Sequence, residues 1–158
     1  MFLHTNDRII NLKNVSNINI LKDKNRIVFN LNYNIEIITD FEGYGKFISD
    51  YVYWDAISSD NLRQNVEHLE ENQYFKDNFL PEFHNNGYIN INEISSIKFS
   101  EKKHRVIFNL SHPITFKDYD GNERITSEFV YVNCQDFKKY KEYVEFVKST
   151  LSDKYQFE

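Results

Sequence analysis

The residues of this 158-residue chain best suited to catalysis or metal binding are five histidines, His4, His68, His84, His104 and His112, and one cysteine, Cys134. No two histidines stand four apart, the spacing that aims both at one ion from a helix, and Cys134 has no second thiolate to share a zinc. His104 and His112 approach each other only across a bent strand, and both read as exposed turn residues. Cys134 follows a strand and aligns with Ala56, so it reads as a small buried residue, and nothing in the sequence points to the low thiol pKa a nucleophile needs. Asp118, Asp120 and Glu123 form a small acidic cluster, but the run lacks the length and the terminal bidentate Glu of a calcium loop. With four glycines and no GxGxxG or P-loop pattern, a phosphate cradle is not expected either. No catalytic, cofactor-binding or metal-ligating residue is therefore assigned. An enzyme using His104 or Cys134 in a cleft between two halves is the weakest functional expectation.

Two other residue sets have the chemistry of recognition. The first combines rings and cations: Tyr51, Tyr53, Phe129 and Tyr131 with Arg26, Arg105 and Lys98. Flat rings stack on bases and cations meet phosphates, which is what single-stranded nucleic acid requires. The second set is acidic and aromatic: Glu67, Glu70 and Glu71, then Tyr74, Phe75, Phe79 and Phe83. Such a segment either docks on the protein itself or meets a partner with a basic surface.

The elements that position these residues are written twice. Residues 10–31 align with 89–110 at a constant offset of 79, and nine of the 22 positions are identical. The matched pairs include Arg26/Arg105, Phe29/Phe108 and Leu31/Leu110. The similarity resumes at an offset of 78, where Asp40-Phe41-Glu42-Gly43 matches Asp118-Tyr119-Asp120-Gly121 and Tyr51-Val52-Tyr53 matches Phe129-Val130-Tyr131. The expected organisation is a first repeat at 8–73, an aromatic-acidic connector at 74–86 and a second repeat at 87–151.

Each repeat predicts the same order. A short strand (9–12; 88–91) leads to a second (15–21; 94–99), a charged turn, and a third (26–31; 105–110). In the third, Ile27, Phe29 and Leu31 alternate with Arg26, Val28 and Asn30, the period of a half-buried strand. Pro113 predicts a bulge or an edge. A hairpin turn at Asp-x-x-Gly precedes a last strand (47–54; 125–132). A helix then closes the repeat. Ser59 or Asp60 is the expected cap of the first, with Leu62, Val66 and Leu69 on its apolar face. Asp136 is the expected cap of the second, with Phe137, Tyr140, Val144, Val147, Phe146 and Leu151 on its apolar face. The fold class is α+β: an antiparallel sheet of four to five strands plus one amphipathic helix, twice, packed around a pseudo-twofold axis within the chain. In layout this duplication resembles the whirly-type single-stranded DNA-binding proteins, which carry two strand-rich repeats, each closed by a helix. The resemblance implies a fold and a nucleic-acid partner, and it carries no residue across.

Composition narrows the setting. Asn occurs 20 times and Ile 17 times, a usage that A/T-rich codons produce and that points to an A/T-rich bacterium, phage or mobile element. The start of the chain shows no signal peptide and no apolar run is long enough to span a membrane, so the expectation is a cytoplasmic monomer or homodimer. The net charge of −5 is concentrated: residues 58–86 hold Arg63 and Lys76 against six acids, a net −4. The first functional expectation is accordingly a non-enzymatic regulator, adaptor or inhibitor acting through protein contacts. The second is binding of single-stranded DNA or RNA by the repeated sheet face.

Overall fold

The computed structural model describes residues 1–32, 35–39, 45–48, 51–83, 86–117 and 120–152, with side chains at 35–39, 45–48, 112–117 and 124–127 outside that description. Along the chain the elements are β1 (Phe2–His4), β2 (Ile9–Asn11), β3 (Val15–Leu21), β4 (Arg26–Leu31), β5 (Ile35–Thr39), β6 (Gly45–Ile48), β7 (Tyr51–Asp55), α1 (Ser59–Glu71), α2 (Gln73–Asn78), β8 (Phe79–Pro81), β9 (Gly87–Asn90), β10 (Ile94–Ser100), β11 (Arg105–Lys117), β12 (Glu123–Asn133) and α3 (Phe137–Leu151). The class is α+β. The strand pairings are antiparallel, except that β5 runs parallel to the far end of β11.

Strands β3 and β4 form because Ile and Val alternate with polar residues on a pleated surface. They are joined by a single 3-10 turn, Lys22–Lys24, that ends at Asn25 in the left-handed region (φ 48°). The second half makes the same turn at Glu101–Lys103 and ends it at His104 (φ 47°). Asn tolerates that backbone well and His less so. Both strand pairs slip register at their start, between Val15 and Asn17 and between Ile94 and Ser96. At both slips a serine hydroxyl donates to the facing strand, Ser16 to the Asn30 carbonyl (3.2 Å) and Ser95 to the Asn109 carbonyl (3.0 Å). Pro113 lies inside β11 where the register with β12 shifts, the bulge its missing N–H requires.

Two cores result. In the first, Leu62 and Leu69 of α1 cover Ile18, Ile27, Phe29 and Trp54. In the second, Tyr140, Val144, Val147 and Leu151 of α3 cover Val106, Phe108, Leu110 and Val132. Asp136 caps α3 by accepting from the Lys139 amide at 2.8 Å. The cap of α1 is Ser58, which accepts from the Asn61 amide at 3.1 Å, rather than the expected Ser59 or Asp60. On α3, Tyr143 is buried, whereas Phe137 and Phe146 are exposed at the margins of the apolar stripe.

The segment 74–86, expected as the aromatic-acidic connector, carries most of α2 and the strand β8, which pairs with β9 as a hairpin. Strand β9, expected in the second repeat, hydrogen-bonds to β3, so the N-terminal sheet runs β7-β4-β3-β9-β8. A pseudo-twofold axis would also pair β2 with β10, but β2 pairs with β1 and β10 pairs with β11. The two halves therefore exchange strands unequally: β9 joins β3 of the first half through the β8–β9 hairpin, while β5 of the first half joins the far end of β11 in parallel. The β8–β9 hairpin is the wall they share, with Phe79 and Tyr88 in the first core and Leu80 and Ile89 in the second.

Candidate binding face

The outer faces of the two sheets, opposite α1 and α3, carry the ring and cation set. Alternation on β7 sends Trp54 into the core and leaves Tyr51 and Tyr53 on the other side; β12 does the same with Val132 against Phe129 and Tyr131. Tyr51, Phe129 and Tyr131 are exposed and Tyr53 is half-buried. The rings pair along each strand, Tyr51 with Tyr53 at 4.7 Å between centroids and Phe129 with Tyr131 at 4.8 Å.

A cation from the neighbouring strand lies over each pair. The registers β4·β7 and β11·β12 bring Arg26 opposite Asp55 and Arg105 opposite Asn133. The Arg26 guanidinium carbon stands 4.1 Å from the centre of the Tyr53 ring, and that of Arg105 stands 4.5 Å from the centre of Tyr131. Cation–π contacts of this kind are worth about 0.5–1 kcal/mol at exposed sites. They place ring and guanidinium side by side on the sheet face.

The two rungs differ in charge. Arg26 is ion-paired, its Nε and Nη2 donating to the two carboxylate oxygens of Asp55. Arg105 Nε donates to the amide oxygen of Asn133 at 2.6 Å, a neutral partner that leaves the positive charge in place. Lys98 adds a second cation beside Ile107 on the C-terminal face, where the N-terminal face has Asn19 beside Val28. Asn109 and Ser96 are linked at 2.9 Å at the far end of that face.

The acidic-aromatic set is divided by the fold. Phe75 and Phe79 are buried, stacked on each other at 5.0 Å, with Tyr88 edge-on to Phe75 at 4.7 Å. Tyr74 and Phe83 are half-buried, Phe83 edge-on to Tyr143. These four rings pack against the protein's own cores. Glu67, Glu70 and Glu71 are exposed on α1, and Glu70 accepts a hydrogen bond from the Tyr88 hydroxyl. Glu67 and Glu70 also rim a groove of about 400 Å³ between α1 and β3, floored by Ile20, Leu62 and Val66.

The residues considered for catalysis are placed elsewhere. Cys134 is buried, and burial pushes its thiol up from the ordinary range, which makes it a poor nucleophile. His104 holds the turn before β11, its carbonyl accepting from the Cys134 amide at 2.9 Å and its ring beside Phe137 and Tyr140. His84 and the side chain of His112 lie outside the described residues, as does Asp118 of the acidic cluster. Among the described residues, no three His, Cys, Asp or Glu side chains come together in a metal-binding arrangement. No helix among them is long and apolar enough to cross a membrane.

Compared with known proteins, the chain matches no family model, no curated protein and no solved structure. The arginine and aromatic members of the face were visible in the sequence. Their partners Asp55 and Asn133 were not singled out, although the offset of 78 aligns them. Neither was the β1–β2 hairpin, whose Phe2-Leu3 recurs as Phe79-Leu80 at an offset of 77.

Proposed function

We propose that this chain is a tandem duplication serving as a non-enzymatic binding protein, and that it acts through protein contacts as a regulator, adaptor or inhibitor. The observation that supports this reading is the repeated exposed rung. Arg26 over Tyr53 beside Tyr51, and Arg105 over Tyr131 beside Phe129, stand open on two sheets. Tyrosine and arginine of this kind are the residues that most often anchor protein interfaces, because each offers a broad apolar area with a polar edge. The acidic surface of α1 around Glu67 and Glu71 extends the reading to a partner with a basic patch. A cytoplasmic setting in an A/T-rich bacterium or its phage belongs to the same proposal. The test is a photo-crosslinking residue placed at position 129, 131 or 67 in the expressing host. A protein adduct at the face positions, lost in Arg105→Glu, supports the reading; no adduct at any position overturns it.

A second reading, single-stranded DNA or RNA on the C-terminal face, has its own support in the unneutralised Arg105 and Lys98 beside two exposed rings. It expects salt-dependent binding of a labelled oligonucleotide that is lost in Lys98→Glu/Arg105→Glu with the fold intact. Absence of binding at about 50 mM salt, where phosphate contacts are strong, removes it.

A further inference from the structure

The two hairpins are built alike but used differently. In β1–β2, Phe2 faces Asn11, Leu3 faces Ile10 and His4 faces Ile9. In β8–β9, Phe79 faces Asn90, Leu80 faces Ile89 and Pro81 faces Tyr88. The registers coincide residue for residue. Each hairpin turns one side into the core of its own half, Leu3 and Ile10 in the first and Leu80 and Ile89 in the second. The other side differs. Phe79 and Tyr88 are 7% and 3% exposed, because β9 has docked on the edge of β3 with Ile18 opposite Tyr88. Their counterparts Phe2 and Ile9 are 49% and 62% exposed.

The receiving edge shows the complementary difference. Strand β3, covered by β9, buries Ser16, Asn17 and Ile18. On β10, the equivalent Ser95 and Ser96 are exposed and Ile97 is half-buried, and among the described residues only β11 pairs with it. Among the described residues, the β8–β9 hairpin on the edge of β3 thus has no counterpart: the similar hairpin β1–β2 and the second edge of β10 are both left open. An interface of this one-way kind repeats between molecules until it closes a ring or extends a chain.

We propose that a second copy of this chain occupies the open edge: β2 of one molecule adds to β10 of the next in the register by which β9 adds to β3. Ile9 then faces Ile97 and Ile10 faces Ser96, by the offset of 79. Phe2 and Ile9 are covered beside Phe99. The Asn11 amide donates to the Ile94 carbonyl, as the Asn90 amide donates to the Val15 carbonyl at 2.8 Å. One residue departs from the template. A Cβ at Gly87 would stand 2.3 Å from the Ile18 carbonyl oxygen, and the first hairpin has Arg8 at that position. The added strand therefore pairs through Ile9–Asn11 and splays away at Arg8, which makes the contact between molecules weaker than the one within the chain.

The experiment is light scattering on the full chain over a range of concentrations. The expected result is a mass that rises with concentration to a dimer or a larger assembly. Phe2→Ser/Ile9→Ser removes the rise, and because both residues are exposed the variant still folds. Arg8→Gly strengthens the rise. A wild type and an Arg8→Gly chain that both stay monomeric at every concentration overturn the proposal, and so does association that persists in Phe2→Ser/Ile9→Ser. Oxidation of Ile9→Cys/Ile97→Cys tests the register directly, since buried Cys134 competes poorly for the new thiols. A disulfide between molecules supports the pairing; one closed within a single molecule overturns it, because the hairpin would then reach its own β10.

Discussion

The outer face of the N-terminal sheet and that of the C-terminal sheet present the same rung on the same strands, and they differ by a few polar atoms. Arg26 meets the carboxylate of Asp55, while Arg105 meets the amide of Asn133. Ring spacing and the height of the guanidinium above the ring are nearly the same in both. Backbone register thus sets the geometry of the face, and the identity of one residue on the last strand sets whether its cation is available. A nearby ion pair reinforces the difference. Asp7 and Arg8 in the turn of the first hairpin, linked at 2.7 Å, line a 340 Å³ hollow with Tyr51, Tyr53 and Asp55. The N-terminal face is thereby edged with both signs of charge, and the C-terminal face keeps Arg105 and Lys98.

The comparison can be broken most severely in the cores. Phe29 and Phe108 hold equivalent places and both are fully buried. Phe29→Ala and Phe108→Ala should each cost about 3–5 kcal/mol of stability in urea unfolding, by lost transfer energy and the cavity left behind. Losses that differ severalfold would show that the two cores are not equivalent despite their common pattern.

A smaller effect lies in the hairpin that joins the halves. Glu82 follows β8, where Thr5 follows β1, and burial without a paired cation raises its carboxyl to about 7. The folded protein then holds this proton more tightly than the unfolded chain. Its contribution is greatest at acid pH and is lost as pH rises from about 4.5 through about 7, an effect of roughly 3 kcal/mol. Glu82→Gln should flatten this part of the pH profile and be more stable than the wild type at pH 8 (an arbitrary point about one unit above the raised value). A variant no more stable than the wild type there would remove Glu82 as the source. The helix caps come next. Ser58→Ala and Asp136→Ala should each cost about 1 kcal/mol in thermal or urea unfolding, by orphaning one amide of the first turn. Equal losses would sharpen the correspondence of α1 and α3.

The smallest effect on stability carries the most information about the faces. Asn133→Asp should change stability by less than about 1 kcal/mol, because an exposed ion pair contributes little. If the C-terminal face binds an anionic ligand, the same substitution should weaken that binding and lower its salt dependence, and Asp55→Asn should raise them on the N-terminal face. Oligonucleotide titrations of both variants read this out. Equal binding by wild type and both variants would separate the charge difference from any nucleic-acid role.

Much of the architecture was legible in the residues. The alternation of Ile27 and Phe29 with Arg26 and Asn30 identified β4 and its inward side, and the same letters 79 positions on identified the start of β11. Helix α3 and its cap at Asp136 followed from an amphipathic stripe behind an acidic cap. The exposed rings were legible only as a pair of alternatives, since alternation separates Tyr51 and Tyr53 from Val52 and Trp54 without saying which pair meets the helix. Phe75 and Phe79 were likewise legible only as alternatives, for a physical reason. A ring in an acidic segment has the same sequence signature whether it meets a partner or its own core, and here stacking on Tyr88 draws both inside.

The sequence by itself determined what local periodicity and side-chain chemistry control: which segments are strands, where the turns fall, which helix faces are apolar, and that one pattern occurs twice. These properties depend on neighbours within a few residues, so they are written wherever the pattern is written. The tertiary structure alone decided which copy of a surface is covered. Phe2-Leu3 and Phe79-Leu80 carry the same pattern, yet Phe79 is buried against the first core and Phe2 lies open. Strands β3 and β10 are likewise similar, yet one has a neighbour on its second edge and the other, among the described residues, does not. Burial is set by what distant parts of the chain pack across a surface, so segments of similar pattern end in different surroundings.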